Sequence, residues 1–211
     1  MANNSDPRCR QCRREGEKLF LKGEKCVKHC TLDKEKRRKP PGMHGSTFIQ
    51  KKMTEYGQQL REKQKLRRMY RVLEGQFRAY MGEAERRRGV TGENLLQLLE
   101  TRLDNVVFRL GLAASRAQAR QLVSHRFFTV NGRRVNIPSY QVREGDVVGV
   151  HESKSQTGIM KEAREKAHTR PIPAWLEYNN TEMVGRVLAL PTRDQIDTAI
   201  QEQLIVEFYS R

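Results

Sequence analysis

The chain has 211 residues, of which 41 are Lys or Arg and 25 are Asp or Glu, so its formal net charge is +16. That length predicts one large or two modest domains. A hydrophobic content of 36% gives a thin core, and we expect part of the burial to be shared with a partner. So high a positive charge argues against an ordinary small-molecule enzyme and favours a polyanion, most commonly a nucleic acid, as partner.

The positive charge is unevenly distributed. Residues 1–90 hold 25 basic and 11 acidic side chains, a net charge of +14, whereas residues 91–211 carry only +2. A membrane surface is the other polyanion to consider, but no signal peptide and no apolar run near the ~20 residues that span a bilayer is visible. We therefore expect a soluble, non-secreted chain without a membrane partner, in which cysteines are reduced.

Four cysteines, Cys9, Cys12, Cys26 and Cys30, lie near the beginning of the chain with spacers of 2, 13 and 3 residues. Two close pairs separated by a loop are typical of a zinc site, because each short turn can present two thiolates to one tetrahedral ion. Four cysteines close the coordination shell, so we expect one structural Zn²⁺ rather than a catalytic one. His29 could replace Cys30 as a ligand, and two disulfides or four free thiols are the alternatives to zinc.

Basic side chains surround the cysteines and continue into a basic arm, residues 33–53, interrupted by Pro40-Pro41-Gly42. This tripeptide breaks any helix and predicts an extended segment, either one that becomes ordered on its partner or a flexible tether. The candidate RNA-binding residues of this part are Arg8, Arg10, Arg13, Arg14, Lys34, Lys36, Arg37 and Arg38.

Apolar residues at steps of three and four predict a helix over about 54–85, with Arg67, Arg68 and Arg71 beside its apolar stripe. A second helix is predicted to begin at Thr91 and to stop at Gly111. Ser115 is expected to cap a third, short helix that extends to about residue 124.

The pattern then changes from helical to alternating. Residues 128–130 lead into Asn131-Gly132, a strong hairpin signal, and residues 147–150 follow another turn. We expect a small antiparallel sheet resting on two helices. Near the end, a helix is predicted over 192–201 and a strand-like tail over 204–209.

Residues 102–150 resemble a known module in three successive stretches, 102–111, 115–123 and 130–140, followed by Gly145-Asp146. This ordered match closely resembles the helix-helix-hairpin RNA-binding module of bacterial-type small-subunit ribosomal protein S four. The segments on either side of the module carry the resemblance further. A basic N-terminal segment with four cysteines, a helical segment before the module and a short tail after it indicate that the whole chain resembles that ribosomal family, in its zinc-binding, four-cysteine form.

Within the module, Arg116 and Arg120 lie four residues apart on one predicted helix face, and glutamines on the same helix can bond to ribose hydroxyls. The hairpin turn would bring two arginines to the RNA backbone. The candidate RNA contacts of the module are Arg116, Gln118, Arg120, Gln121, Asn131, Gly132, Arg133 and Arg134. Many relatives carry glycine where this chain has Arg126, which implies strain or a shifted turn.

The resemblance implies an α+β fold with three parts. Residues 1–45 would form a zinc knuckle and basic extended arm, residues 46–101 with 171–211 a helical domain, and residues 102–170 the inserted helix-helix-hairpin module with its small antiparallel sheet. Trp175 and the tail over 204–209 would pack against the helices of 54–100.

The resemblance further implies a non-enzymatic component of the small ribosomal subunit, acting in the cytoplasm on the ribosome. Such a protein binds 16S-type rRNA directly, folds a multi-helix junction of its 5′ domain, nucleates subunit assembly and contributes to translational accuracy. Its implied partners are ribosomal protein S five, other small-subunit proteins and mRNA near the entry channel. An RNA-modifying enzyme or a zinc-knuckle DNA-binding regulator carrying the same module remains the alternative.

Overall fold

The computed structural model describes residues 6–45, 53–166 and 171–210. The chain divides into two compact units. The first unit comprises Met1–Gly92 and Ala199–Arg211, and the second comprises Glu93–Thr198.

The first unit begins with a knuckle, residues 8–32, built on two short helices. Helix α1 is Arg8–Glu15, helix α2 is Glu24–Lys28, and a 3-10 turn follows at Thr31–Asp33. Gly16 ends α1 with a positive φ of 77°, as the left-handed helix cap requires. Leu19, Leu21 and Leu32 pack with Cys12 in a small buried cluster, which is little apolar content for an independent fold.

The arm after the knuckle is folded rather than extended. Short 3-10 helices lie at Glu35–Arg37 and Met43–Gly45. A Cβ at Gly45 would lie 1.9 Å from the carbonyl oxygen of Pro40, so glycine is required for this close approach. The prediction of an extended segment over 33–53 is therefore wrong for the described part, and residues 46–52 lie outside the described residues.

The predicted single helix over 54–85 is two helices, α3 (Glu55–Met69) and α4 (Glu74–Arg86). The break occurs at Arg71, whose φ is +55°. The amide of Arg71 bonds to the carbonyl oxygen of Arg68, and that of Val72 bonds to Arg67. This is a Schellman motif with arginine in the position that usually holds glycine, which is why the apolar periodicity alone gave no sign of it.

The tail forms helix α10 (Glu202–Tyr209), not the predicted strand. Helix α10 packs against α3, with Ile205 fully buried and the rings of Tyr56 and Phe208 5.6 Å apart. The expectation that this tail packs against the 54–100 helices is therefore confirmed. The predicted helix over 192–201 shrinks to a 3-10 turn at Arg193–Gln195.

Three short helices lead into the second unit. Helix α5 is Thr91–Glu100, α6 is Leu103–Arg109 and α7 is Arg116–Ser124, so the predicted helix over 91–111 is interrupted near Arg102. Gly111 ends α6 with a φ of 79°, as predicted. The Ser115 hydroxyl accepts a 3.3 Å hydrogen bond from the amide of Gln118, which confirms the predicted cap.

An antiparallel sheet of five strands completes the second unit. Its strands are β1 (Phe128–Val130), β2 (Arg133–Arg134), β3 (Val147–Val150), β4 (Leu176–Asn179) and β5 (Val184–Val187), in the order β2-β1-β3-β5-β4. Asn131 and Gly132 have φ of 49° and 77°, so the predicted hairpin is closed by a turn with two left-handed residues. Helices α8 (Glu152–Ser155) and α9 (Gly158–Lys166) follow β3.

The second unit extends beyond the predicted module. Strand β5 pairs with β3 in register, and Trp175 is buried among Leu103, Val148 and Val187. Trp175 therefore packs in the core of the second unit, and the prediction that it packs against the 54–100 helices is wrong. The physical reason is backbone pairing, because β3 offers a free edge to β5. The observed division at 92 and 198 differs accordingly from the predicted boundaries at 101 and 170.

Candidate nucleic-acid interface

The four cysteines of the knuckle line one small cavity, together with His29. The cavity volume is about 20 Å³, room for one water or one small ion. Cys12 and Cys26 are buried, Cys9 and Cys30 are partly exposed, and all four are free thiols. The disulfide alternative is therefore not what the structure shows.

Hydrogen bonds and charges act on the thiols. The amide of Lys22 donates to the Sγ of Cys26 at 3.3 Å, and the hydroxyl of Thr31 donates to that of Cys9 at 3.5 Å. Burial raises the pKa of Cys12 and of Cys26. Burial also acts to raise the pKa of Cys9, but the Thr31 hydrogen bond and the positive charge of Lys22 outweigh it and lower that pKa overall.

The donor set suits zinc, whereas the side-chain arrangement does not yet form a coordination shell. Four thiols that line one ion-sized cavity are the kind of donor set that closed zinc sites use. Among the described residues, however, no three His, Cys, Asp or Glu side chains lie in positions that could hold a metal ion. An ion would have to draw the thiols closer together.

The candidate arginines of α1 have different surroundings. Arg10 and Arg14 are exposed. Arg13 donates from Nε to the carbonyl oxygen of Lys39 at 2.9 Å and from Nη2 to that of Pro40 at 3.3 Å, so it fastens the arm to α1. Arg8 makes a long 3.5 Å contact with the carbonyl oxygen of Leu21.

The candidate residues of the arm are exposed, whereas those of α3 are engaged. The exposed arm residues are Lys34, Lys36, Arg37 and Arg38. Arg68 pairs with the buried carboxylate of Glu15, and burial raises the pKa of that carboxyl. Arg67 bonds to Gln64 at 3.0 Å. Arg71 is partly buried at the α3–α4 break, so the α3 arginines contribute mainly to the first unit's own structure.

Arg120, one of the two arginines expected on the RNA face, is buried. Its side chain is 7% exposed and its Nη1 lies 3.3 Å from Asp104. Asp104 also accepts two hydrogen bonds from Arg102, at 3.1 and 2.8 Å. A guanidinium held in this way is directed into the protein, which favours an internal role for Arg120 over the predicted RNA contact. Helical spacing placed Arg120 on a face but could not show that this face packs on α6.

Arg116 belongs to a second buried polar cluster. Its Nε donates to Asn105 at 2.7 Å, and its guanidinium lies 4.7 Å from the centre of the Phe108 ring. The carboxylate of Glu100, 1% exposed, accepts from Arg109 at 2.7 Å and lies 3.8 Å from Arg116. This side chain therefore also has an internal role.

The remaining candidates of the module lie at the surface. Gln121, Asn131, Gly132, Arg133 and Arg134 are exposed, and Gln118 is partly exposed. Gln118 accepts a 2.8 Å hydrogen bond from the amide of Ala114, completing the cap of α7. Asn131 bonds to Asp146 at 2.8 Å, and Arg134 bonds to His151 at 3.0 Å. The hairpin thus exposes Arg133 and Arg134 to solvent, and His151 holds the Arg134 side chain in place.

Arg126 is an exposed cation that is not among the candidate RNA contacts of the module. Its φ is +59°, and its amide bonds to the carbonyl oxygen of Val123 while that of Phe127 bonds to Leu122. It therefore occupies the left-handed position of a Schellman motif at the end of α7. Of the two implied outcomes, strain or a shifted turn, the structure shows strain.

Two sets of functional or structural side chains were not among the predicted site residues. Asp104 and Asn105 interrupt the apolar face of α6. In the sequence, this interruption was the indication of the two buried polar clusters around Arg120 and Arg116. Lys22 and Lys25 lie next to the cysteines in a cationic cleft. In the sequence, only the high local density of basic residues could have indicated them.

Helix α7 is capped and packs against α6, and a hairpin with exposed arginines follows it. These features are those of a basic nucleic-acid-binding protein. No helix in the described ranges is long and apolar enough to cross a membrane.

Comparisons with known proteins identify the class further. Residues 3–100 match the family described as "Ribosomal protein S4/S9 N-terminal domain", and residues 101–148 match the S4 domain. The chain is 58% identical, over the full length of both chains, to the small ribosomal subunit protein uS4 of Desulforamulus reducens and of Heliobacterium modesticaldum. It is 59% identical, again over both full lengths, to uS4A of Symbiobacterium thermophilum.

The chain therefore belongs to the uS4 family of small-subunit ribosomal proteins. This confirms the predicted family and its non-enzymatic character. It also confirms the mixed fold of helices with a small antiparallel sheet.

Proposed function

We propose that this chain is a structural component of the small ribosomal subunit that binds rRNA directly. The observation that carries the proposal is the form of residues 115–134, where a capped helix runs into a tight hairpin with Arg133 and Arg134 exposed. A-form RNA presents phosphates, ribose hydroxyls and shape rather than base edges to such a surface. The protein acts in the cytoplasm, as part of the ribosome.

The finer role follows from the family. The rRNA target is a multi-helix junction in the 5′ domain of 16S-type rRNA, which the protein holds in its folded arrangement and so nucleates subunit assembly. Its neighbours are ribosomal protein S five, other small-subunit proteins and the mRNA near the entry channel, where it contributes to accuracy. Exposed cations of both units, including Arg10, Arg14 and Arg126, support contacts with RNA on this scale.

A single structural Zn²⁺ belongs to the same proposal. Cys9, Cys12, Cys26 and Cys30 would hold it, and the ion would supply the cross-link that orders a knuckle with little apolar core. The support is the shared cavity of the four thiols and the cationic groups that lower the pKa of Cys9. His29 is exposed, which favours the four thiols over His29 as the ligand set.

Filter binding of the full chain to small-subunit rRNA, duplex DNA and tRNA tests the proposed function. We expect rRNA to bind most tightly. An RNA-modifying enzyme would instead modify an RNA substrate, and a DNA-binding regulator would bind duplex DNA at least as tightly as rRNA.

A further inference from the structure

His151 follows strand β3 and joins the hairpin to helix α8 through one ring nitrogen. Its amide donates to the carbonyl oxygen of Phe127 at 2.8 Å, which fixes its backbone beside the start of β1. Its Nδ1 lies 3.0 Å from Nη2 of Arg134 and 3.1 Å from the amide nitrogen of Ser153. The same atom is therefore the side-chain cap of α8 and the partner of an arginine on β2.

These two donors fix the protonation state of the His151 ring. A backbone amide and a guanidinium can only donate a hydrogen bond, so Nδ1 has to be the acceptor. An imidazole nitrogen that accepts carries no proton, and the ring is then neutral with its proton on Nε2. The Ser153 hydroxyl lies 3.0 Å from Nδ1 and accepts from Nη2 of Arg134 at 3.3 Å, so it ties the same groups together.

The contact holds Arg134 and leaves part of its guanidinium available to a partner. A guanidinium has five N–H donors, and the bonds to His151 and Ser153 both use Nη2. Because Arg134 is exposed, its other N–H groups can approach a phosphate. An arginine side chain that is already held loses less conformational entropy when it binds, which favours affinity.

Protonation of His151 would open this contact. Nδ1 would become a donor, so it could accept neither from Arg134 nor from the Ser153 amide, and a positive charge would lie 3.0 Å from the guanidinium. Histidine is the side chain that ordinarily changes its charge between about pH 5 and 8. The other charged or titratable side chains on the segments around His151 are His125, Arg126, Glu152, Lys154 and Glu182.

We propose that His151 is a positioning residue that controls, through its own protonation, how much Arg134 contributes to RNA binding. The neutral ring holds Arg134 in place at about pH 7.5, and the protonated ring releases it at about pH 5.5. Within the proposed function, on which this proposal rests, His151 acts on RNA only through Arg134. The hairpin contact therefore depends on pH, whereas a contact made by an arginine without such a partner does not.

The test measures the loss of rRNA affinity that Arg134→Ala causes in the full chain, at the higher and at the lower pH and at one ionic strength. The same loss is measured in a His151→Asn background, because asparagine can cap α8 and accept from Arg134 without titrating in this range. Arg133→Ala is the matched control. Arg133 lies in the same strand, and successive residues of a strand point to opposite faces.

The loss caused by Arg134→Ala is expected to be about 2–10 times larger at the higher pH than at the lower, which is what holding one long side chain in place is worth. In the His151→Asn background the loss should be equally large at both pH values. The loss caused by Arg133→Ala should not change with pH. A loss from Arg134→Ala that is the same at both pH values in the wild-type background would overturn the proposal.

The ring itself is observed by NMR in the full chain without RNA. Nitrogen-15 chemical shifts of the His151 ring, assigned by comparison with His151→Asn, should show a proton on Nε2 and none on Nδ1 at the higher pH. A proton on Nδ1 at that pH would also overturn the proposal.

Failure of the proposed function would give a different result, namely wild-type affinity for rRNA no greater than for duplex DNA. The pH dependence of the Arg134→Ala loss, measured on duplex DNA, would then still decide whether His151 positions Arg134 for a phosphate backbone.

Discussion

Arg126 shows how a single residue can carry a conformational cost. A left-handed backbone costs a non-glycine residue about 1–2 kcal/mol, and Arg126 has a φ of +59° at the end of α7. The Schellman hydrogen bonds hold it there. Its side chain is exposed next to the hairpin. The strained backbone therefore places a positive charge where it can contact RNA.

Arg126→Gly should raise the free energy of unfolding of the second unit by about 1 kcal/mol, because glycine adopts this φ without strain. Urea denaturation followed by fluorescence measures the change. Trp175 is the chain's single tryptophan and is buried in that unit. Arg133→Gly is the matched control, since Arg133 lies in β2 without a positive φ, and it should lower the same free energy. An Arg126→Gly protein less stable than wild type would contradict the account.

Arg120 is the candidate RNA contact whose surroundings the sequence could not predict. Charge and helical spacing made it resemble a phosphate ligand, but long-range packing decides which side of a helix faces solvent. Asp104 holds Arg120 and Arg102 together in the buried interior of the second unit. Only the tertiary structure brings these three side chains together.

Arg120→Ala should destabilise the second unit by about 2 kcal/mol, because it removes a buried hydrogen bond between charged groups, while Asp104 keeps its two hydrogen bonds from Arg102. The same substitution should leave the salt slope of rRNA binding unchanged. Arg133→Ala, on the exposed strand β2, should have the opposite effects. It should leave the free energy of unfolding unchanged and lower the salt slope of rRNA binding by about 0.7–0.9. Trp175 fluorescence and filter binding report the two quantities. Should Arg120→Ala lower the slope of a folded protein, Arg120 would contact RNA after all.

At the scale of elements, local signals predicted caps and turns well. The Ser115 cap, the Gly111 stop and the Asn131-Gly132 hairpin are all present, because each depends on the chemistry of one or two residues. The break between α3 and α4 was missed because Arg71 replaces the usual glycine. The alternating burial of Ile196, Thr198 and Ile200 shows why 192–201 is mostly not a helix, since a period of two is that of extended chain.

Tertiary packing overrode local preference in the tail. The β-branched and aromatic residues of 204–209 favour a strand, yet this segment packs as helix α10 on α3. The hydroxyl of Tyr209 donates to Glu74 at 2.8 Å, and Lys63 lies 4.6 Å from the centre of the Phe208 ring. Contacts so distant in sequence could not be inferred from the tail itself.

The knuckle is the element whose stability we expect to depend on metal. Elemental analysis of the purified chain should find about one zinc per chain, lost when Cys12 and Cys26 are both changed to Ser. His29→Ala is the matched control and should retain the zinc, because four thiols already fill a tetrahedral shell. Wild-type protein without zinc would refute the metal site, and zinc lost from His29→Ala would make His29 a ligand.

On the scale of the whole molecule, the net charge of +16 divides into two kinds of cation. One kind is used internally, as with Arg68, Arg116 and Arg120. The other is exposed or lines the cleft, as with Arg10 and Lys25. The composition predicted a polyanionic partner. The burial of each side chain was needed to distinguish cations available to a partner from cations that pair within the fold. The thin core is consistent with a protein whose surface is completed by RNA.

The most direct test of the central claim is the affinity of the full chain for small-subunit rRNA, measured beside duplex DNA and tRNA at one ionic strength. The account predicts that rRNA binds about 10³-fold or more tightly than duplex DNA, the range typical of specific nucleic-acid recognition. It also predicts a linear fall of log affinity with log salt. Equal affinity for all three nucleic acids would contradict it.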